Sequence, residues 1–143
     1  MPAFIPFHET KRYLGEAAIN FTTHDFKAML TNSAPDLAVY SLKSDITEIA
    51  PGNGYTAGGV LMTSVTWSET SSGSGIWRWN MADFSWTASG GNMATFQYIV
   101  WYDDTSVSPL KPLIGYVDYG SGLILTNGST FLPDIGVNGV LEF

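Results

Sequence analysis

The sequence predicts an all-β fold: a single-domain antiparallel β-sandwich or compact barrel with one short helix. Three observations predict it. Residues 95–102 are an unbroken run dominated by aromatic and β-branched side chains, with Thr95, Gln97, Ile99 and Trp101 on one face and Phe96, Tyr98, Val100 and Tyr102 on the other. Successive side chains of a strand point to opposite faces, so apolar bulk on both predicts an interior strand covered on two sides. Residues 113–119 resume the pattern after a polar loop at 103–111 that holds Ser108-Pro109; two strands joined this way pair antiparallel. Other short alternating segments recur at regular intervals between Gly, Pro, Asn and Ser clusters, the spacing of a sandwich or barrel.

In chain order, residues 1–18 are expected as an N-terminal extended arm and 19–143 as the β-domain. Phe4, Ile5 and Phe7 stand between Pro2 and Pro6. They are too apolar to stay wet without cost, since full burial of each contributes roughly 1.5–3 kcal/mol; residues 1–8 are therefore expected to pack on another subunit or another protein. Residues 25–31 alternate as a first strand. Ser44, with Asp45 and Glu48 after it, predicts a short helix over 44–49, because a side-chain cap and early acids complement the helix dipole. Residues 52–59 are a glycine-rich loop, read as backbone geometry because the Lys and following helix of a phosphate loop are missing. Strands are expected over 60–68, 76–80 and 81–87, with a flexible tip at 69–75 and a turn at 89–92. Beyond Gly120 the short segments 123–126, 130–132 and 139–143 are punctuated by Asn127-Gly128, Pro133 and Asn138-Gly139. The expected core includes Phe26, Leu30, Leu61, Val65, Phe84, Trp86, Phe96, Val100, Ile114 and Val117.

With 143 residues the chain fits one domain, and at 45% hydrophobic residues it has material for a core. Charged residues make up only 13%, about half the usual share. So little charge leaves neutral polar and apolar surface outside, which suits a permanent partner. The formal charge is -7 with six Lys and Arg in all. That supplies no basic footprint for a phosphate backbone or an anionic bilayer, so neither nucleic acid nor membrane is expected as a partner. No cysteine is present, which removes disulfides and thiolate metal sites.

The chemistry-bearing residues do not gather into a recognisable set. His8 and His24 lack further ligands at zinc spacing. Asp103-Asp104 lacks the alternating carboxylates of a calcium loop and reads as solvated loop acid. Asp118 sits between aromatic residues, yet a glycosidase needs a second carboxylate at a set distance; an outward or hydrogen-bonded acid at a strand end is the preferred reading. No serine lies in a nucleophile elbow. No catalytic, cofactor-binding or metal residue is therefore assigned, no cofactor is expected, and the protein reads as a non-enzyme. Trp77 and Trp79 flank the tip at 69–75 as candidate exposed aromatics, the kind on which sugars stack. With Phe4, Ile5 and Phe7 they form the set of expected interaction residues.

The segments 19–34, 44–60, 96–104 and 112–120 carry a resemblance. Asp25-Phe26-Lys27 with Leu30, the loop Gly54-Tyr55-Thr56-Ala57-Gly58-Gly59 after Gly52, and Pro112-Leu113-Ile114 with Tyr116 and Asp118 resemble a group of small structural proteins encoded in tailed-bacteriophage genomes. Residues 1–15 and the hairpin 67–79 depart from that pattern. The resemblance implies a virion protein more than a position in the particle. Together with the low charge content, the -7 net charge and the small disulfide-free domain, it leads to the expectation of a capsid decoration or cement protein on the shell exterior, made in the host cytoplasm and associating with itself, as a trimer, and with the major capsid protein or another virion protein. The alternatives are a tail or neck component, or a carbohydrate-binding module on a fibre.

Overall fold

The structure is a computed structural model describing residues 1–136 and 139–143. Its strands are β1 (Ile5–Pro6), β2 (Phe26–Thr31), β3 (Val60–Leu61), β4 (Thr66–Glu69), β5 (Trp77–Asn80), β6 (Trp86–Thr87), β7 (Phe96–Asp103), β8 (Leu113–Leu123), β9 (Thr130–Phe131) and β10 (Leu141–Glu142), with one α-helix, α1 (His8–Gly15). Every strand pairing is antiparallel. A five-stranded sheet runs β1-β8-β7-β2-β3, a three-stranded sheet β10-β5-β4, and β6 pairs with β9. The fold is thus all-β and sandwich-like; of the two expected forms, the closed barrel does not occur.

The hairpin β7–β8 lies inside the large sheet, as its two apolar faces require. Phe26, Ala28 and Leu30 of β2 join Ile99 and Trp101 of β7 in the larger core, together with Trp79, Trp86 and Leu141 from the smaller sheets and Phe84 from the segment before β6. The opposite face carries Met29, Tyr98, Val100, Tyr102, Leu113 and Tyr116, covered by Leu37, Tyr40 and Ile46. Two register shifts alter the simple alternation. One falls between Phe96 and Tyr98, so Phe96 turns to the larger core while Tyr98, two residues on, faces the other way. The other leaves Ile114 without an opposite number, since Tyr102 pairs with Leu113 and Trp101 with Gly115. Such bulges strand backbone carbonyls. Here Thr10 Oγ1 lies 2.9 Å and 2.8 Å from the Leu113 and Ile114 carbonyls, and the Phe7 N–H donates to the latter at 3.1 Å.

Those contacts correct the expected arm. Residues 1–18 are not a separate extended segment. β1 pairs with β8 at Ile5↔Tyr116 and Pro6↔Gly115, Phe7 is fully buried, and α1 follows at once. A Cβ on Gly115 would stand 2.4 Å from the Phe4 ring, so that glycine is the notch that admits it.

The short helix is also not where it was expected. Residues 43–45 make only a single 3-10 turn, with Asp45 Oδ2 accepting from the Ser41 and Leu42 N–H groups. Propagation stops because Glu48 bridges to Thr31 and the Ile49 N–H donates to the Leu30 carbonyl, which draws the chain alongside β2. Tertiary pairing overrides local propensity there. The expected strand 60–68 is broken in two, with Ser64 at φ 52 between the parts. Residues 81–87 keep their alternating burial, but only β6 makes a ladder. Nine of the ten expected core residues are wholly or partly buried; Leu61, on the edge strand β3, is 47% exposed. Asn138 of the expected Asn138-Gly139 turn lies outside the described residues.

Candidate functional site

Three places gather polar or aromatic groups. The first is the glycine loop. Tyr55 is buried, and its hydroxyl donates to Glu48 Oε1 at 2.5 Å while accepting the Leu30 N–H at 3.1 Å. The Gly58 N–H donates to the same carboxylate oxygen at 2.5 Å, and the Tyr102 hydroxyl donates to the Gly58 carbonyl at 2.6 Å. Burial, reinforced by neighbouring acids, pushes both phenols well above the ordinary tyrosine value. Gly59 has φ +82, and a Cβ there would lie 1.9 Å from the Ala28 carbonyl oxygen. The loop is therefore clamped onto β2, and the Gly52, Tyr55, Gly58 and Gly59 N–H groups are engaged within the chain. It is a piece of architecture, as its glycines suggested.

The second is the charged end of β7. Asp103 is fully buried, which corrects its reading as a solvated loop acid. Its carboxylate accepts the Thr105 and Ser106 N–H groups at 2.9 and 3.1 Å and pairs with His24 Nδ1 at 2.5 Å. A buried carboxylate persists when its lone pairs are satisfied in this way. Ser106 Oγ donates to the Pro109 carbonyl, and Thr105 Oγ1 accepts from the Asp25 N–H. Both hydroxyls thus have bonds to backbone groups, and the His–Asp pair works as a staple between the 20–24 loop and β7. Beside it, Asp104 pairs with Lys111 at 2.9 Å and Lys27 at 3.4 Å. Burial alone would raise the Asp104 carboxyl; the two lysines outweigh it and hold it below its ordinary value. A depression of about 320 Å³ opens nearby, lined by Leu42, Lys43, Ser44, Leu110 and Lys111. Its two lysines already face Glu48 and Asp104. Among the described residues, no group of three or more His, Asp or Glu is placed to hold a metal ion.

The third is the aromatic face of the small sheet. Register pairs Trp67 with Trp79 and Glu69 with Trp77. Trp79 is fully buried, stacked on Phe21 at 4.7 Å and edge-on to Phe26 at 5.0 Å. This corrects its place among exposed residues and dissolves the expected Trp77–Trp79 sugar platform. Trp77 lies two residues further along β5, past the rim of the core, and is 42% exposed. It stacks on Trp67 at 5.9 Å, and its backbone exchanges hydrogen bonds with Phe143, which is also exposed. The other face of this sheet is polar, with Arg78 paired to Glu142 at 2.6 Å. Of the remaining expected interaction residues, Phe4 and Ile5 are half-buried and Phe7 is buried, all against their own chain. Asp118 is exposed and accepts from Gln97 Nε2 and the Gly120 N–H.

The prominent exposed apolar residues were not singled out in the sequence. Val107 and Leu110 project from the β7–β8 loop, 79% and 57% exposed, and Ile124 and Leu132 lie at the opposite end of the sheet at 61% and 58%. Their only signal is an aliphatic residue amid turn formers. No helix among the described residues is long and apolar enough to cross a membrane. No protein-family model, no curated protein and no solved structure matches the chain.

Proposed function

We propose that the protein is a non-enzymatic virion structural protein of a tailed bacteriophage, a capsid decoration protein that associates with itself, as a trimer, and with the shell. The observation that carries this reading is the exterior. Val39, Val107, Leu110, Ile124, Leu132, Trp77 and Phe143 are all large, apolar and exposed on a domain that carries little charge. Exposed apolar residues gathered into patches mark interaction sites; among these, Val107 bridges to Leu110 and Trp77 to Phe143. The resemblance of the glycine loop and the strand at 112–120 to phage structural proteins supplies the kind of particle. The -7 charge suits the outside of a shell better than its DNA-filled interior. Closed symmetry repeats one small interface several times, which favours compact domains as bracing units.

The test is a reconstruction of the particle with the copy number of this chain. Density for the domain repeated over the shell exterior is the expected result. A few copies at the neck or along the tail refute decoration and keep the virion assignment. Absence from the particle refutes both.

A further inference from the structure

The antiparallel topology sorts charge by end. At one end of the large sheet β2 begins, β7 finishes and β8 begins; Asp25, Lys27, Asp103, Asp104 and Lys111 all lie there. At the other end β2 finishes, β7 begins and β8 finishes, and the chain has no Asp, Glu, Lys, Arg or His in 28–35, 49–59, 84–102 or 119–133; Glu48, bridged to Thr31 at this end, turns its carboxylate onto Tyr55 and Gly58. Hydrogen bonds knit three of these segments into one surface. Asn53 Nδ2 donates to the Asn92 carbonyl, the Asn127 N–H to Asn92 Oδ1, and the Ala88 N–H to the Ser129 carbonyl. Ile124 and Leu132 each directly follow a residue set against Phe96: Leu123 pairs with it, and the Phe131 ring lies 5.1 Å from it. β9 has a ladder partner on one side only. Its edge carries none of the charges that usually guard such strands; Asp118 and Asp134 lie just outside these segments, as does Asp83 on the chain leading into β6.

We propose that this uncharged end, centred on Ile124, Leu132 and the edge of β9, is where one copy of the chain meets another. The inference rests on the reading of the protein as a self-associating virion component and names the surface. Charge selects the occupant. Two copies at -7 repel across most orientations, and this is the end at which they can approach without setting like charges face to face. Depletion of charge, more than raw apolarity, marks the buried centre of an interface. The rival patches are bordered differently: Trp77 and Phe143 by Glu69 and the Arg78–Glu142 pair, Val107 and Leu110 by Asp104 and Lys111. Those surroundings fit a different, charged partner better than a second copy.

Sedimentation velocity of the full chain tests this. The unaltered protein is expected to sediment as an oligomer. Ile124→Asp and Leu132→Asp, both at exposed positions, are expected to weaken association at least about tenfold, with unchanged circular dichroism. Trp77→Asp and Val107→Asp are expected to leave association intact. Ile124→Leu, which keeps the position apolar, is expected to leave association intact. An oligomer that survives both uncharged-end variants, or that falls apart with Trp77→Asp or Val107→Asp, overturns the surface while leaving self-association standing. A chain monomeric at every attainable concentration overturns the contact between copies and leaves placement in the particle to the reconstruction.

Discussion

Tyr55 shows how much of this fold hangs on single hydrogen bonds made inside. Its hydroxyl spans the Leu30 N–H and the Glu48 carboxylate. Tyr55→Phe leaves the ring in place, strands the buried Leu30 N–H and takes one of the donors from Glu48, so a loss of about 1–3 kcal/mol is expected in urea denaturation, with faster amide exchange at Gly58. Gly59→Ala should cost more, because a methyl cannot share space with the Ala28 carbonyl at a positive φ. The phenols also set an alkaline limit. The folded chain raises the pKa of Tyr55 and Tyr102 above the ordinary value of about 10. Their neutral forms therefore stabilise the fold fully below that pH, and this contribution is lost as pH rises beyond it. Stability measured from pH 8 upward is expected to fall above about pH 10, and Tyr55→Phe should flatten the slope. An equally steep fall in the variant would assign the limit elsewhere. Three buried tryptophans lack such bonds. The buried indole N–H groups of Trp79, Trp86 and Trp101 have no conventional acceptor among the described residues. Each ring instead meets a phenyl ring edge-on, Phe26 at 5.0 Å, Phe84 at 5.3 Å and Phe4 at 5.4 Å respectively. Such rings are weak acceptors at best.

At the scale of elements, α1 and β1 change what the N-terminus is for. Phe7 is fully buried beside Tyr116, 5.5 Å between ring centroids, and Thr10 occupies the carbonyls freed by the β8 bulge. Phe7→Ala is therefore expected to lower the stability of the single chain by about 3–5 kcal/mol, read from thermal unfolding at low protein concentration. If the variant unfolds normally but fails to assemble, the segment belongs to a neighbour after all. The hairpin β7–β8 was legible because alternation over eight residues is a local signal, and its two apolar faces announced a central strand. The docking of residues 1–15 was not, because an eight-residue helix with few apolar residues owes its stability to packing on β8. The bulges were equally hidden. Nothing in FQYIVWYD shows that Phe96 and Tyr98 face opposite ways; pairing with β8 decides it. Asp103 looked like a loop acid because the 20–24 turn that buries it lies 79 residues earlier in the chain. The interaction residues were read in part: Trp77 projects, whereas Trp79, in the same strand and on the same face, sits inside the edge of the core.

At the scale of the whole molecule, the scarcity of charge matters less than its distribution. Fixed charges cluster at the β7 end, on the Arg78–Glu142 face and on α1, where Arg12 lies between Glu9 and Glu16. The uncharged end faces away from the β7 cluster. For a chain at -7, the field between two copies is repulsive at long range whatever contact they finally make. Salt separates the possible contacts. The Debye length shrinks from about 30 Å at 0.01 M to about 3 Å at 1 M. If copies join through the neutral surface around Ile124 and Leu132, added salt removes only the repulsion, and association should strengthen steadily over that range. If they join through Lys27, Lys111 or Arg78 and acids of a neighbour, the same salt screens the attraction and association should weaken. Sedimentation equilibrium across the range distinguishes the two, and the aspartate variants sharpen it. A charge introduced at position 124 or 132 should make the salt dependence steeper, with part of the lost association recovered at high salt. A dissociation constant that rises with salt would place the contact at the charged end of the sheet.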